Sequence, residues 1–199
     1  TTAGNAGFIT SLYVVLVPIL LAIFFRQKVR WIVWLAAGIA VLGSLLLSTG
    51  GKLYLSSGDA LELMGAVLWA GHVILVGKAV KRLEVISFSA GQYLVAGGLN
   101  LGVSLVTRQS WAGLTTAWWT VIYIGFLSTA IGYTLQVYGQ RTAPAADAAI
   151  LLSTESVFAA LTGYIFLAEG LHPVQILGCG LILMAILLAQ MRNDPSRAR

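Results

Sequence analysis

The chain has 199 residues, of which 58% are hydrophobic and 10% charged. Soluble domains carry about 25% charged residues, and no polar interval here is long enough to fold outside a membrane, so a water-soluble globular domain is excluded. The net charge of +5 would suggest nucleic acid in a soluble protein. Here the placement of the basic residues accounts for it as membrane topology, and no nucleic-acid partner is expected.

In chain order, the hydropathy pattern predicts an all-α polytopic membrane helix bundle of seven spans. The chain opens without Met, a basic n-region or a cleavage site, so its start reads not as a signal peptide but as an entry into a membrane span, as if cut from something longer. The first span covers about Ala6 to Phe25 and holds Pro18, which a membrane helix tolerates when neighbours satisfy the released carbonyl. The second covers about Trp31 to Ser48 and the third about Ala60 to Val80, with Trp69 and His72 inside it. The fourth runs from about Val85 to Val106 and contains Gln92 and Asn100. The fifth, about Trp118 to Tyr138, contains Tyr133 and Gln136. The sixth, about Ala145 to Ala168, is nearly uncharged but carries Glu155 close to its middle. The last covers about Val174 to Gln190.

Seven spans place Arg26, Lys28, Arg30, Lys78, Lys81, Arg82, Arg141, Arg192, Arg197 and Arg199 on one side, and Lys52 and Arg108 on the other. This positive-inside bias puts the C-terminus in the cytoplasm and the protein in a plasma membrane, the bacterial inner membrane. Trp31 and Trp34 near one boundary, and Trp111, Trp118 and Trp119 near the other, fit interfacial belts. Arg26, Lys28 and Arg30 read as topology determinants and phospholipid contacts.

Sliding the chain by 142 residues lays the first two spans on the last two without a gap. Asn5 then meets Asp147, Ser11 meets Ser153, Val15 meets Val157, Ile23-Phe24 meet Ile165-Phe166, and Gly38 meets Gly180. Matched spans five apart cross in opposite directions, an inverted repeat of the kind common among transporters. Residues 1–49 read as the last two helices of one five-helix repeat, and residues 50–199 as a complete second repeat with a short cytoplasmic tail. This layout predicts three further spans, roughly 80 to 100 residues, ahead of Thr1, and ten spans in all.

A carboxylate in mid-membrane costs at least about 2.5 kcal/mol and usually faces a bundle interior or a wet cavity. Glu155 is therefore the leading cavity candidate, with a structural carboxylate as the alternative. If it lines a path, desolvation favours its protonated form and permits proton exchange. Its repeat-related position is Tyr13, so the two halves are chemically unequal. His72 shares a helix face with Trp69, and either a packed or a cavity histidine fits. Ser89, Gln92 and Asn100 form one polar stripe and Thr129, Tyr133, Gln136 and Gln140 another. Such stripes are either interhelical hydrogen bonds or, with Glu155, the lining of one wet cavity. Gly98 and Gly102 read as a small-xxx-small packing pair. Glu62 and Glu169, near span ends, read as solvated.

The stretch STAIGYTLQVYGQRTAPAADAAILLSTESVFAALTGYIFLAEGLHPVQILGCGLILMAILLA resembles the last three helices of the drug/metabolite transporter superfamily, in its EamA-type branch. AGFITSLYVVLVPIL resembles that family's fourth helix and WAGHVILVGK its sixth. The resemblance implies ten helices in two inverted repeats, alternating access, and export of small metabolites or amino-acid-like solutes. Many members have Pro after the mid-helix Glu, whereas Ser156 stands here, which predicts a straighter helix.

Other classes find less support. There is no G-x-S-x-G elbow, no H-E-x-x-H and no intramembrane aspartate pair, so an enzyme is not expected. Cys179 is alone in an apolar helix, and His72 and His172 lie far apart in sequence. No metal and no cofactor are expected. The expected partners are a small-molecule solute and the lipid bilayer, with a homodimer as a compatible assembly. A non-transporting membrane scaffold is the alternative from another class.

Overall fold

The structure is a computed structural model that describes residues 2–50, 56–167 and 170–191, apart from the side chains of residues 3, 4 and 167. Lys52, Glu169, Arg192, Arg197 and Arg199, and the predicted end of the sixth span at Ala168, lie outside the described residues. Every regular element among the described residues is a helix. They are α1 (Ala3–Ser11), α2 (Tyr13–Phe24), α3 (Trp31–Thr49), α4 (Asp59–Ala79), α5 (Val85–Val106), α6 (Trp118–Ile122), a π-helix over Tyr123–Tyr133, α7 (Thr134–Gln140), α8 (Ala145–Leu152), α9 (Thr154–Leu167) and α10 (Pro173–Gln190).

Six stretches among the described residues are long and apolar enough to cross a membrane: Asn5–Phe24, Trp31–Thr49, Asp59–Ala79, Trp118–Gln140, Ala145–Phe166 and Pro173–Gln190. They match six of the predicted spans to within about two residues. The remaining one, α5, is a 22-residue helix about 33 Å long, long enough to cross but diluted by Gln92 and Asn100. The protein is an integral membrane helix bundle.

Local chemistry sets the helix ends. Gly50 closes α3 in the left-handed region, at φ 60°, which glycine adopts without a Cβ penalty. Glu84 caps α5, its carboxylate accepting from Ile86 N at 2.9 Å and Ser87 N at 2.6 Å. These two charge-assisted bonds hold the Glu84 carboxyl below its usual range. Pro173 opens α10, where a missing N–H costs nothing.

The chain forms two compact units. The first comprises residues 1–75 and 144–199 and contains the larger core, built on Val14, Val17, Val33, Ala36, Ala40, Ile74, Ile150, Ile182 and Ala185. Its organising contact is between α3 and α10. A Cβ on Gly43 would lie 2.8 Å from Gly178 O, and one on Gly178 would lie 2.6 Å from Gly43 O and 2.7 Å from Leu47 N. Two glycines are thus required for backbone to meet backbone. Arg30, at the start of α3, reaches Ala189 O at 3.1 Å near the end of α10. Gln175, at the start of α10, donates to Leu47 O at 3.2 Å near the end of α3. The two helices are therefore antiparallel. The two carbonyls that receive these side chains, of Leu47 and Ala189, are 142 residues apart.

The second unit comprises residues 76–143. Val76 and Val80 from the end of α4, Val85 and Phe88 from the start of α5, and Val137 of α7 form its small core. Tyr93 and Thr134 share a hydroxyl–hydroxyl hydrogen bond of 3.1 Å between α5 and α7. The predicted packing pair is displaced: a Cβ on Gly98 or Gly102 meets nothing within 4 Å, and both residues are exposed. Small residues at this spacing permit close approach, but the close approach itself occurs at Gly43 and Gly178.

Candidate functional site

The sixth span is not one helix. It is interrupted at Ser153, so Glu155 stands in the first turn of α9. A hydroxyl takes the carbonyl at the interruption. In a continuous helix Ile150 O would accept from Thr154 N; instead it takes Ser153 Oγ at 2.6 Å and Ser153 N at 3.2 Å. The first span is interrupted in the same way at Leu12, with Ser11 Oγ on Phe8 O at 2.6 Å. Ser11 and Ser153, and likewise Phe8 and Ile150, are 142 residues apart.

The interruption changes the setting of Glu155. The N-terminal turn of a helix favours negative charge, and α9 presents that end at mid-span. Val157, two residues on, enters the core of the first unit, while Glu155 is exposed.

Within the first unit, Trp69 and His72 stack at a centroid distance of 5.0 Å and an interplanar angle of 25°. Both are half-buried, and Trp69 packs against the core that includes Tyr13. Tyr13 is buried at 7% exposure, one residue after the interruption at Leu12, whereas Glu155 stands two residues after the one at Ser153. Glu62 differs from its reading as a solvated span-end group: it is half-buried and accepts from Thr10 Oγ1 at 3.2 Å, tying α1 to α4.

Within the second unit the polar stripes divide. Ser89 is buried, Gln92 half-buried and Asn100 exposed, because α7 covers only the first half of α5. Asn100 turns its amide onto its own helix, donating to Ala96 O at 2.8 Å. The other stripe was drawn at α-helical spacing, but the 11-residue π-helix over Tyr123–Tyr133 turns more slowly and shifts it. Thr129 and Gln136 are half-buried, Gln140 is buried, and Tyr133 is exposed at 36%. Gln136 Nε2 is buried with no hydrogen-bond acceptor among the described residues.

The eight candidates thus divide evenly. Tyr13, Trp69, His72 and Glu155 belong to the first unit, and Gln92, Asn100, Tyr133 and Gln136 to the second. No group of three or more His, Cys, Asp or Glu able to hold a metal occurs among the described residues.

The main residue that sequence reasoning misassigned is Arg30. Its guanidinium binds both oxygens of Asp147, at 2.8 and 2.9 Å, and the carbonyls of Ala189 at 3.1 Å and Met191 at 3.3 Å. It clasps the ends of three helices, α3, α8 and α10, so the expected phospholipid contact is replaced by an internal one. An Arg one residue before a helix carries no local signal of this, and the pairing of Asn5 with Asp147 in the repeat gave only a hint.

The EamA-like transporter family matches residues 56–191. An uncharacterized transporter of Archaeoglobus fulgidus is 31% identical over 197 residues, covering 96% of this chain and 62% of its own. The threonine/homoserine exporter RhtA of Escherichia coli K12 is 30% identical over 175 residues, covering 84% of this chain and 57% of its own. The chain therefore spans about three fifths of the length of these curated relatives. A crystal structure superposes on 96% of this chain and 68% of its own with a TM-score of 0.83 at 16% identity, a likeness of fold.

Proposed function

Because the chain belongs to the EamA-like transporter family, we propose that it serves in a secondary transporter that exports small metabolites or amino-acid-like solutes by alternating access. The observation that carries this reading is Glu155, an exposed carboxylate at the start of a half-helix in mid-span. Intramembrane carboxylates in that position mark substrate and proton pathways. The relatives named as threonine/homoserine exporters support both the outward direction and the amino-acid-like solute.

In this reading Glu155, with Tyr13, Trp69 and His72, is the solute- and proton-handling group of the first unit. Gln92, Asn100, Tyr133 and Gln136 are the polar contribution of the second. The buried amide donor of Gln136 supports that role, since a polar group buried without a partner is costly unless water or solute satisfies it. Residues 1–49 end one five-helix repeat and residues 50–199 form a second, inverted one. The antiparallel pairing of α3 with α10 and the matching contacts of Ser11 on Phe8 O and Ser153 on Ile150 O support this division. The basic residues orient the C-terminus to the cytoplasm.

The test is solute-dependent stabilisation of the purified protein, followed by efflux from proteoliposomes, over a panel of amino acids and small metabolites. A transporter is protected by the solutes it moves. Protection by none of the panel, with no solute-specific efflux, contradicts the reading and favours a scaffold.

A further inference from the structure

The basic end of the second unit is built differently from that of the first. Lys78 lies in the last turn of α4, Lys81 and Arg82 in the turn before α5, and Arg141 directly after α7. The core of Val76, Val80, Val85, Val137 and Phe88 pins these three segments together, so the four cations share one end of the unit. All four are exposed. The nearby carboxylate, Glu84, is engaged by Ile86 N and Ser87 N as the cap of α5 and meets Arg141 only through longer-range attraction. Lys81, Arg82 and Arg141 make no ion pair among the described residues. Beside them stand two exposed apolar side chains, Leu83 at 51% and Ile86 at 70%.

We propose that this end of the second unit is a docking site for an anionic phospholipid. The phosphodiester headgroup sits among Lys81, Arg82 and Arg141, and the acyl chains run along Leu83 and Ile86. Charge complementarity selects the headgroup, since Lys81, Arg82 and Arg141 share this end with a carboxylate already committed to a helix cap. The apolar pair beside the cations selects a lipid over a free phosphate, which has no use for Leu83 or Ile86. The site depends on the chain lying in a bilayer and not on what it transports. It also contrasts with Arg30, whose donors are taken up by Asp147 and two carbonyls.

The experiment replaces Leu83 with a photoreactive benzoylphenylalanine in the protein reconstituted in mixed phosphatidylglycerol–phosphatidylcholine bilayers. The ratio of the two lipids crosslinked at that position is read by mass spectrometry. Phosphatidylglycerol is expected to be enriched over its bulk fraction, and the enrichment to fall as salt rises. Lys81→Gln, Arg82→Gln and Arg141→Gln together should lower it on the order of a hundredfold, or to the bulk ratio, at about fivefold for each cation removed. Arg26→Gln with Lys28→Gln, also exposed cations but in the first unit, should leave it unchanged. Because the triple variant carries a folding risk, each single variant is measured as well, with a graded fall expected. Bulk-ratio crosslinking in the wild type, or enrichment that survives the triple substitution, overturns the proposal. Displacement of the lipid by inorganic phosphate at matched ionic strength also overturns it, in favour of a free-anion site.

Discussion

In the first unit, 44% of an 18-residue stretch of the Trp31–Thr49 span is buried; in the second, 6% of such a stretch of Trp118–Gln140 is. The two regions differ in what their polar and small residues do. In the first, Gly43 and Gly178 bring two backbones together, and Arg30 and Gln175 satisfy carbonyls on a neighbouring helix. In the second, Asn100 and Thr107 bond to their own helix, and Gln136 Nε2 has no acceptor among the described residues. Without a hydrophobic drive between helices in lipid, small residues and directed hydrogen bonds hold a bundle together. The first unit joins its helices through two glycines and long polar side chains, and the second through the Tyr93–Thr134 hydroxyl pair.

The comparison can be broken most severely at the glycines. Gly178→Leu should abolish recovery of folded protein, and Gly178→Ala or Gly43→Ala should destabilise by about 1–3 kcal/mol through overpacking. Gly98→Ala and Gly102→Ala, in open space, should be neutral or raise stability by up to about 1 kcal/mol through helix propensity. Thermal unfolding in detergent separates these outcomes, and equal loss at all four positions would erase the distinction between the units.

The clasp should come next. Arg30→Gln is expected to cost about 1–3 kcal/mol, the range for hydrogen bonds to charged groups. Arg141→Gln in the second unit should change stability by less than about 0.5 kcal/mol. A double-mutant cycle with Asp147→Asn should show coupling to Arg30 and none to Arg141.

The smallest effect concerns the cap of α5. The folded carboxyl of Glu84 lies below its ordinary value, so its stabilising contribution is present above that ordinary range. It is lost as the pH falls through the depressed folded value. Amide exchange at Ile86 and Ser87 should therefore be protected at neutral pH and lose protection only in acid. Glu84→Gln should remove that acid step, and an unchanged step would show that another group controls it.

Much of the fold was legible because hydropathy and helix punctuation agree. Val85–Val106 emerges with its expected bounds, set by Glu84 at one end and Thr107-Arg108 at the other. What was not legible is where a polar side chain chooses a local carbonyl over a distant partner. Ser153 could have faced a neighbouring helix but instead bonds Ile150 O and interrupts its own. The same ambiguity hid the clasp, since Arg30 beside Lys28 looks like another surface cation until α8 and α10 are in place. The π-helix moved a stripe that α-helical arithmetic had drawn straight. For the candidate site, residue types pointed to Glu155, while its place at the head of a half-helix emerged only from the backbone.

The account rests most directly on Glu155. Solute transport into proteoliposomes, with and without an imposed pH gradient, should be measured for the wild type and for Glu155→Gln. The account predicts that the gradient accelerates transport by the wild type and has no effect on the variant. Equal transport under all four conditions would contradict it.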